Sequence, residues 1–231
     1  MCGIYGSRNF TEFKQLYKLN TTRGNFANGH LFLSWTGDYE IEKRQGETDY
    51  DYTYEYHKEY NYYTGHTQSP TGKVRDYNRN TSHPFETDNW IVSHNGVLNN
   101  HTKLTEKFYD NGDYYKSLVC DVDSSIIPAY MEYLLRNKPY KKFIEVMDQT
   151  VKSTLDQLSG TYAVTVYNKP NRLLYIARCG STLHYNPQGS TFSSVTAPGL
   201  EPVPECTLYR LHQYKFKRIS NLKNNSSFLI F

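Results

Sequence analysis

The first two residues of the chain can do chemistry together. Cys2 follows Met1 directly, and its side chain is small enough for an aminopeptidase to remove the methionine. Removal would leave a thiol and a free α-amino group on one residue. An α-amine titrates at roughly 7.7 to 8.0, which suits a general base at neutral pH. It can take the thiol proton and later return one to a leaving group, so the nucleophile brings its own base. The plain alternative is a small, inert, buried cysteine, as most cysteines are. Met1-Cys2-Gly3 alone does not decide between the two.

Other short runs supply the context. Met1-Cys2-Gly3-Ile4-Tyr5-Gly6 is followed by Arg23-Gly24 with Gly29, then by Gly65-His66-Thr67 with Thr71, and by His83-Pro84. Next come Ser93-His94-Asn95-Gly96-Val97-Leu98-Asn99-Asn100 and Asp123-Ser124. Leu158-Ser159-Gly160-Thr161-Tyr162-Ala163 and Ala177-Arg178-Cys179-Gly180-Ser181-Thr182-Leu183 complete the set. In this order the runs resemble the class II glutamine amidotransferases, nearest the glutaminase domain of glucosamine-6-phosphate synthase. The resemblance implies an N-terminal-nucleophile hydrolase: α+β, a four-layer αββα sandwich with antiparallel sheets, filling residues 1–231 as one domain.

It also implies roles. Cys2 would attack the side-chain amide of glutamine and form a thioester, releasing ammonia. The Asn95 side chain and the Gly96 N–H would hold the oxyanion, where losing one donor costs roughly 3 to 4 kcal/mol. Without Cys2, Asn95-Gly96 would read as an ordinary turn. Arg23 would organise the nucleophile's backbone, or simply satisfy turn carbonyls; its high pKa excludes proton transfer. Asp123 would meet the substrate α-ammonium, or else serve as a helix-start acid. Asp121 could take that second duty. His66, Gln68 and Thr71 would complete the substrate site. Where the family holds the α-carboxylate with an arginine, this chain has Gln68, with Ser69 and Gly72 as further departures. A neutral amide binds a carboxylate less tightly unless Lys73, Arg75 or Arg79 moves in. That change keeps two alternatives open: an amidase for another amide, or a silent regulatory or binding module of the same fold.

The elements that must position these residues follow from periodicity. The spacing predicts a strand over 2–6, a helix over 10–19 and a strand over 30–35, with a Gly- and Asn-rich turn at 21–29. Residues 37–48 read as a hairpin or an insertion. A Tyr-rich strand through 50–63 leads into a loop over 65–72. A buried strand over 90–93 ends at His94-Asn95-Gly96, because Asn-Gly signals a turn. Two amphipathic helices follow over 123–135 and 140–158, the second with Phe143, Met147, Val151 and Leu155 as its stripe. Strands then fill 162–167, 173–177, 183–185, 191–195, 207–212 and 214–219. Strands, then helices, then strands indicate a layered α+β arrangement rather than a parallel βαβ series.

Bulk composition excludes several classes. The 231 residues carry 26 basic and 23 acidic side chains for a net charge of +3, which leaves no electrostatic footprint for nucleic acid. Lys215, Lys217 and Arg218 read as a solvated strand. The 23 tyrosines, Tyr54 and Tyr56 among them, read as a strand face rather than a base-stacking surface. No run approaches the roughly 20 apolar residues of a membrane span, and no signal peptide is present, so a cytoplasmic location is expected. Cys2, Cys120, Cys179 and Cys206 are scattered without a CxxC pair, which indicates neither a metal site nor a disulfide framework. No cofactor is expected. The expected partners are glutamine and a separate synthase or ligase subunit that receives the ammonia, since no acceptor domain is recognised. The apolar run Phe228-Leu229-Ile230-Phe231 would end as an edge strand or dock on that subunit.

Overall fold

Ile4 and Tyr5 point to opposite faces of the first strand, and each face finds its own core. The computed structural model describes residues 1–49, 60–69, 77–109, 122–136 and 143–225. Its elements in chain order are β1 (Gly3–Ser7), α1 (Phe10–Asn20), β2 (Ala27–Leu33), β3 (Tyr39–Gln45) and β4 (Tyr62–Gln68). Then come β5 (Phe85–Glu86), β6 (Trp90–Leu98), α2 (His101–Tyr109), α3 (Ile126–Leu135) and α4 (Ile144–Leu155). The strands β7 (Gly160–Asn168), β8 (Leu173–Cys179), β9 (His184–Tyr185) and β10 (Phe192–Ser193) follow. The last are β11 (Glu201–Pro202), β12 (Thr207–His212) and β13 (Lys215–Asn221).

The strands form two sheets, ordered β11-β9-β10-β1-β4-β2-β3 and β13-β12-β8-β7-β6-β5. Neighbouring strands run antiparallel. Alternation along each strand sends Ile4, Leu31, Leu33 and Ile91 into the core between the sheets, with Ile176 and Phe192. The opposite parity sends Tyr5, Phe32 and Tyr63 outward against Phe10, Phe13, Leu16 and Tyr17 of α1. On the far face, Trp90, Val92, Val164 and Tyr175 pack against Ile127, Met131, Met147 and Val151 of α3 and α4. The result is four layers: helix, sheet, sheet, helices.

Local chemistry sets the element ends. α1 starts because the Asn9 side chain accepts from Glu12 N (2.9 Å). Beyond Asn20 the chain tightens into a 3-10 turn at Thr21–Arg23 and leaves through Gly24. α3 is tied to the β5–β6 hairpin by Glu132, which accepts from Thr87 Oγ1, Asn89 N and Asn89 Nδ2. α4 is tied to its sheet by Asp148, which accepts from Tyr175 OH (2.8 Å) and pairs with Arg210.

Several expectations are corrected. Gly65, His66, Thr67 and Gln68 are not loop: they belong to β4, flanked by β1 and β2. Gly65 is needed there because a Cβ would overlap the Tyr5 ring. β6 does not end at Asn95-Gly96 but continues to Leu98, because β7 pairs with it over its whole length. Residues 39–45 form the second arm of a hairpin with β2. α2 was not legible, and α4 starts later than expected, with Phe143 exposed before it. Cys179 and Cys206 are joined in a disulfide, Cα atoms 4.6 Å apart. Their 27-residue separation hid the fact that β8 and β12 are neighbours. Asp121, Cys120, Tyr54, Tyr56, Thr71, Gly72, Lys73, Arg75 and residues 228–231 lie outside the described residues.

Candidate active site

Gly3 decides where Cys2 can sit. A Cβ at Gly3 would lie 2.9 Å from Thr67 Oγ1 and 3.1 Å from Asn20 Cβ, so only glycine lets β1 lie this close to the end of α1. Thr67 Oγ1 donates to Asn20 O (2.8 Å), and Asn20 Nδ2 donates to Leu16 O and to Ser193 Oγ (2.9 Å). These bonds lock β4, β10 and α1 together beside Gly3. Cys2 has the same parity as Ile4, so its side chain faces the space between the sheets at their end.

Arg23 closes the site from the turn after α1. Its Nε donates to Cys2 O at 2.6 Å, which fixes the Cys2 peptide unit. Gly24 packs directly on the Gln68–Ser69 backbone, and Phe26 N donates to Gln68 O (3.0 Å). The Cys2 thiol in turn donates to Ser69 O at 3.5 Å. Burial pushes this thiol up from its ordinary value and the Asp123 carboxylate adds to that, while the chain's amino terminus and Arg23 pull it down. The thiol is therefore protonated at neutral pH.

Asn95 reaches the same end from the second sheet. Its Nδ2 donates to Ser194 Oγ at 3.3 Å, and that oxygen also accepts from Ile4 N at 3.0 Å. Ser194 N donates to Ile4 O (2.7 Å), so Ser194 joins the two sheets beside Cys2. Gly96 has φ +156°, and a Cβ there would overlap Thr161 O. Asp123 Oδ2 accepts from Leu98 N at 2.7 Å, and Asp123 Oδ1 accepts from Ser124 Oγ at 3.3 Å. Gly96 and Leu98 are two apart, so their N–H groups point to the same edge of β6, the edge facing Asp123.

The structure thus brings Cys2, Arg23, Gln68, Asn95, Gly96 and Asp123 to one end of the sandwich. Gln68 is buried there, and its Oε1 has no hydrogen-bond partner among the described residues. His66 does not open to that end. It is fully buried, Nε2 donates to His94 O (3.1 Å), and its ring stacks on His83 at 3.9 Å. Burial holds its pKa down to about 3, so the ring is neutral and ties β4 to β6. Arg79 lies along β3, where Nη2 donates to Ile41 O, and does not approach Gln68. Ser194 was not legible, since a lone serine just after a two-residue strand carries no signal. The Cys179, Glu205 and Cys206 side chains lie close enough to share a metal ion, but the disulfide occupies both sulfurs.

No protein-family model matches the chain. Among curated proteins it is 26% identical over 153 residues to glutamine--fructose-6-phosphate aminotransferase of Methanocaldococcus jannaschii, covering 62% of this chain and 13% of that protein. It is 33% identical over 107 residues to the enzyme of the same name from Pseudomonas syringae, covering 46% and 16%. The matched region thus spans less than a fifth of either relative's length. Among solved structures, a glutamine PRPP amidotransferase from B. subtilis superposes with TM-score 0.69 at 16% identity, over 94% of this chain and 49% of that one. A glutamine aminotransferase class-II domain protein from Silicibacter pomeroyi gives 0.59 at 10%, over 96% and 100%. Over part of its length the chain is thus similar in sequence to glutamine--fructose-6-phosphate aminotransferases, and its fold is similar to that of solved glutamine amidotransferase structures.

Proposed function

We propose that the chain, once Met1 is removed, hydrolyses the side-chain amide of glutamine through a Cys2 thioester. The observation that carries this reading is the clamp on Cys2: its carbonyl is held by Arg23, and its thiol faces the end of the sandwich that holds Asn95 and Asp123. The exposed α-amine would take the Sγ proton. The thiolate would attack the amide carbon, and the carbonyl oxygen would gain the negative charge. Asn95 Nδ2 and the Gly96 N–H would donate to it. The carbon–nitrogen bond would then break as the nitrogen takes the proton from the ammonium, leaving as ammonia. Water would cleave the thioester, giving glutamate and restoring the thiol.

Asp123 would pair with the substrate α-ammonium, and Gln68 with Thr71 would meet the α-carboxylate. His66 would act on this site only by holding β4. The chain would serve as a glutaminase domain whose ammonia passes to an acceptor. The test is glutamate release by protein whose intact mass shows Met1 gone. Cys2→Ser should abolish it; full activity in that variant, or in protein retaining Met1, overturns the proposal.

One observation favours a second reading. Gln68 brings no charge to the place where a carboxylate would bind, and Arg79 is engaged elsewhere. An amide without an α-carboxylate would suit that neutral wall. A panel of amides assayed beside glutamine separates the two by kcat/KM.

A further inference from the structure

At the end of the sandwich opposite Cys2, the sheets part around a cavity of about 340 Å³. β4 runs from Tyr62 at this cavity to Gln68 beside Cys2, so about 20 Å of strand separates the two. Leu33, Leu174, Leu211 and the Tyr167 ring make its apolar floor. Trp35, Arg172 and Tyr214 make its mouth.

The mouth is built from hairpin turns. Among the described residues, four non-glycine residues have positive φ: Arg172 (56°), Cys206 (47°), Gln213 (44°) and Tyr214 (69°). Three of them, all but Cys206, line this cavity. Each costs roughly 1 to 2 kcal/mol, and a tyrosine has no local hydrogen bond to offset it. Gln213 and Tyr214 are the two loop residues of the β12–β13 hairpin, a turn that takes positive φ at both positions, and Arg172 closes the β7–β8 turn. The β12–β13 turn sets the Tyr214 ring edge-on to Trp35 at 5.5 Å, with the Arg8 guanidinium 3.4 Å from the Tyr214 centroid. Arg172 Nη1 donates to Trp35 O at 2.7 Å, fixing the guanidinium at the rim. Trp35 and Tyr214 remain 55% and 46% exposed, large aromatic surface held open to water. Asp38, the carboxylate of the same turn, accepts from Thr36 Oγ1 (2.7 Å).

We propose that this cavity is a second ligand site, for a small aromatic carboxylate. One ring fits the apolar floor between the sheets, and the carboxylate pairs with Arg172 at the mouth, beside the Trp35–Tyr214 pair. The volume is at the lower bound for small-molecule sites and holds a single ring rather than a nucleotide. A planar guanidinium matches a carboxylate with two parallel bonds.

The two tryptophans make the test direct, because Trp90 is fully buried and Trp35 is exposed. Full-length protein is titrated with 3-phenylpropionate, with its neutral amide, and with acetate, following tryptophan fluorescence. The proposal expects a saturable change with 3-phenylpropionate, binding about tenfold weaker for the amide, and no change with acetate. The signal should vanish in Trp35→Phe. Arg172→Asn, whose new residue tolerates the left-handed backbone, should keep the native circular dichroism and weaken the acid about tenfold. No saturable change with the acid overturns the site; equal binding of acid and amide, or unchanged affinity in Arg172→Asn, overturns the assigned ligand class.

Discussion

Ser194 Oγ stands between Asn95 Nδ2, at 3.3 Å, and Ile4 N, at 3.0 Å. One hydroxyl therefore ties the Asn95 amide of one sheet to the strand that follows Cys2 in the other. Ser194→Ala leaves Ile4 N unsatisfied in a buried place and frees the Asn95 amide. Stability should fall by about 1 to 3 kcal/mol in denaturant melts. Glutaminase kcat should fall further than KM rises, because the amide's aim matters when charge develops. A larger change in KM than in kcat would argue against this positioning role.

Asn95→Ala removes the donor itself. The expected loss is about 10²- to 10³-fold in kcat with folding retained, read from steady-state glutamate release. Gly96→Ala should act differently. Its Cβ would overlap the Thr161 carbonyl, so β6 must move away from β7 and the melting temperature should drop along with activity.

The pH profile follows from the state of Cys2. Burial raises the thiol, so the base limits the rate, and the base works only when unprotonated. Activity should rise with pH through about 7.7 to 8.0, the range of an α-amine, on the acid limb of kcat/KM. A limb near 6.5 would point to a histidine base.

Acid stability is set elsewhere, by His66. Its folded pKa of about 3 lies below the ordinary 6.5, so the folded state resists protonation that the unfolded chain accepts. The stability this gives is complete above 6.5 and is lost as pH falls toward 3. The slope is about 1.4 kcal/mol per pH unit below the unfolded value. His94, also lowered by burial, adds to it. Urea midpoints between pH 7.5 and 5 should fall, and His66→Gln should flatten the slope while lowering the plateau.

Phe13 is fully buried against Tyr5, Phe32 and Tyr63. Phe13→Ala should cost about 3 to 5 kcal/mol, measured by chemical denaturation. A cost below about 1 kcal/mol would mean that α1 contributes little to the sheet it covers.

The sequence revealed the layers wherever one periodicity dominated. α1 follows its hydrophobic pattern almost to the residue, because it buries one face only. The motif strands were harder. Gly65 and Gly96 are turn residues by type, yet both lie inside strands because a ring or a carbonyl leaves no room for a Cβ. The cluster around Cys2 was legible through Cys2, Arg23, Asn95 and Asp123, whose types suit the chemistry. His66 was legible as a position but not as a role, since only its burial and its stacking on His83 show what it does. Ser194 and the Cys179–Cys206 bridge depend on which strands become neighbours, and pairing across long separations leaves no local trace.

β4 touches both ends of the molecule, with Tyr62 at the aromatic cavity and Gln68 beside the thiol, and His66 pins its middle to β6. A strand anchored at its midpoint cannot slide lengthwise without pulling the imidazole off its neighbour.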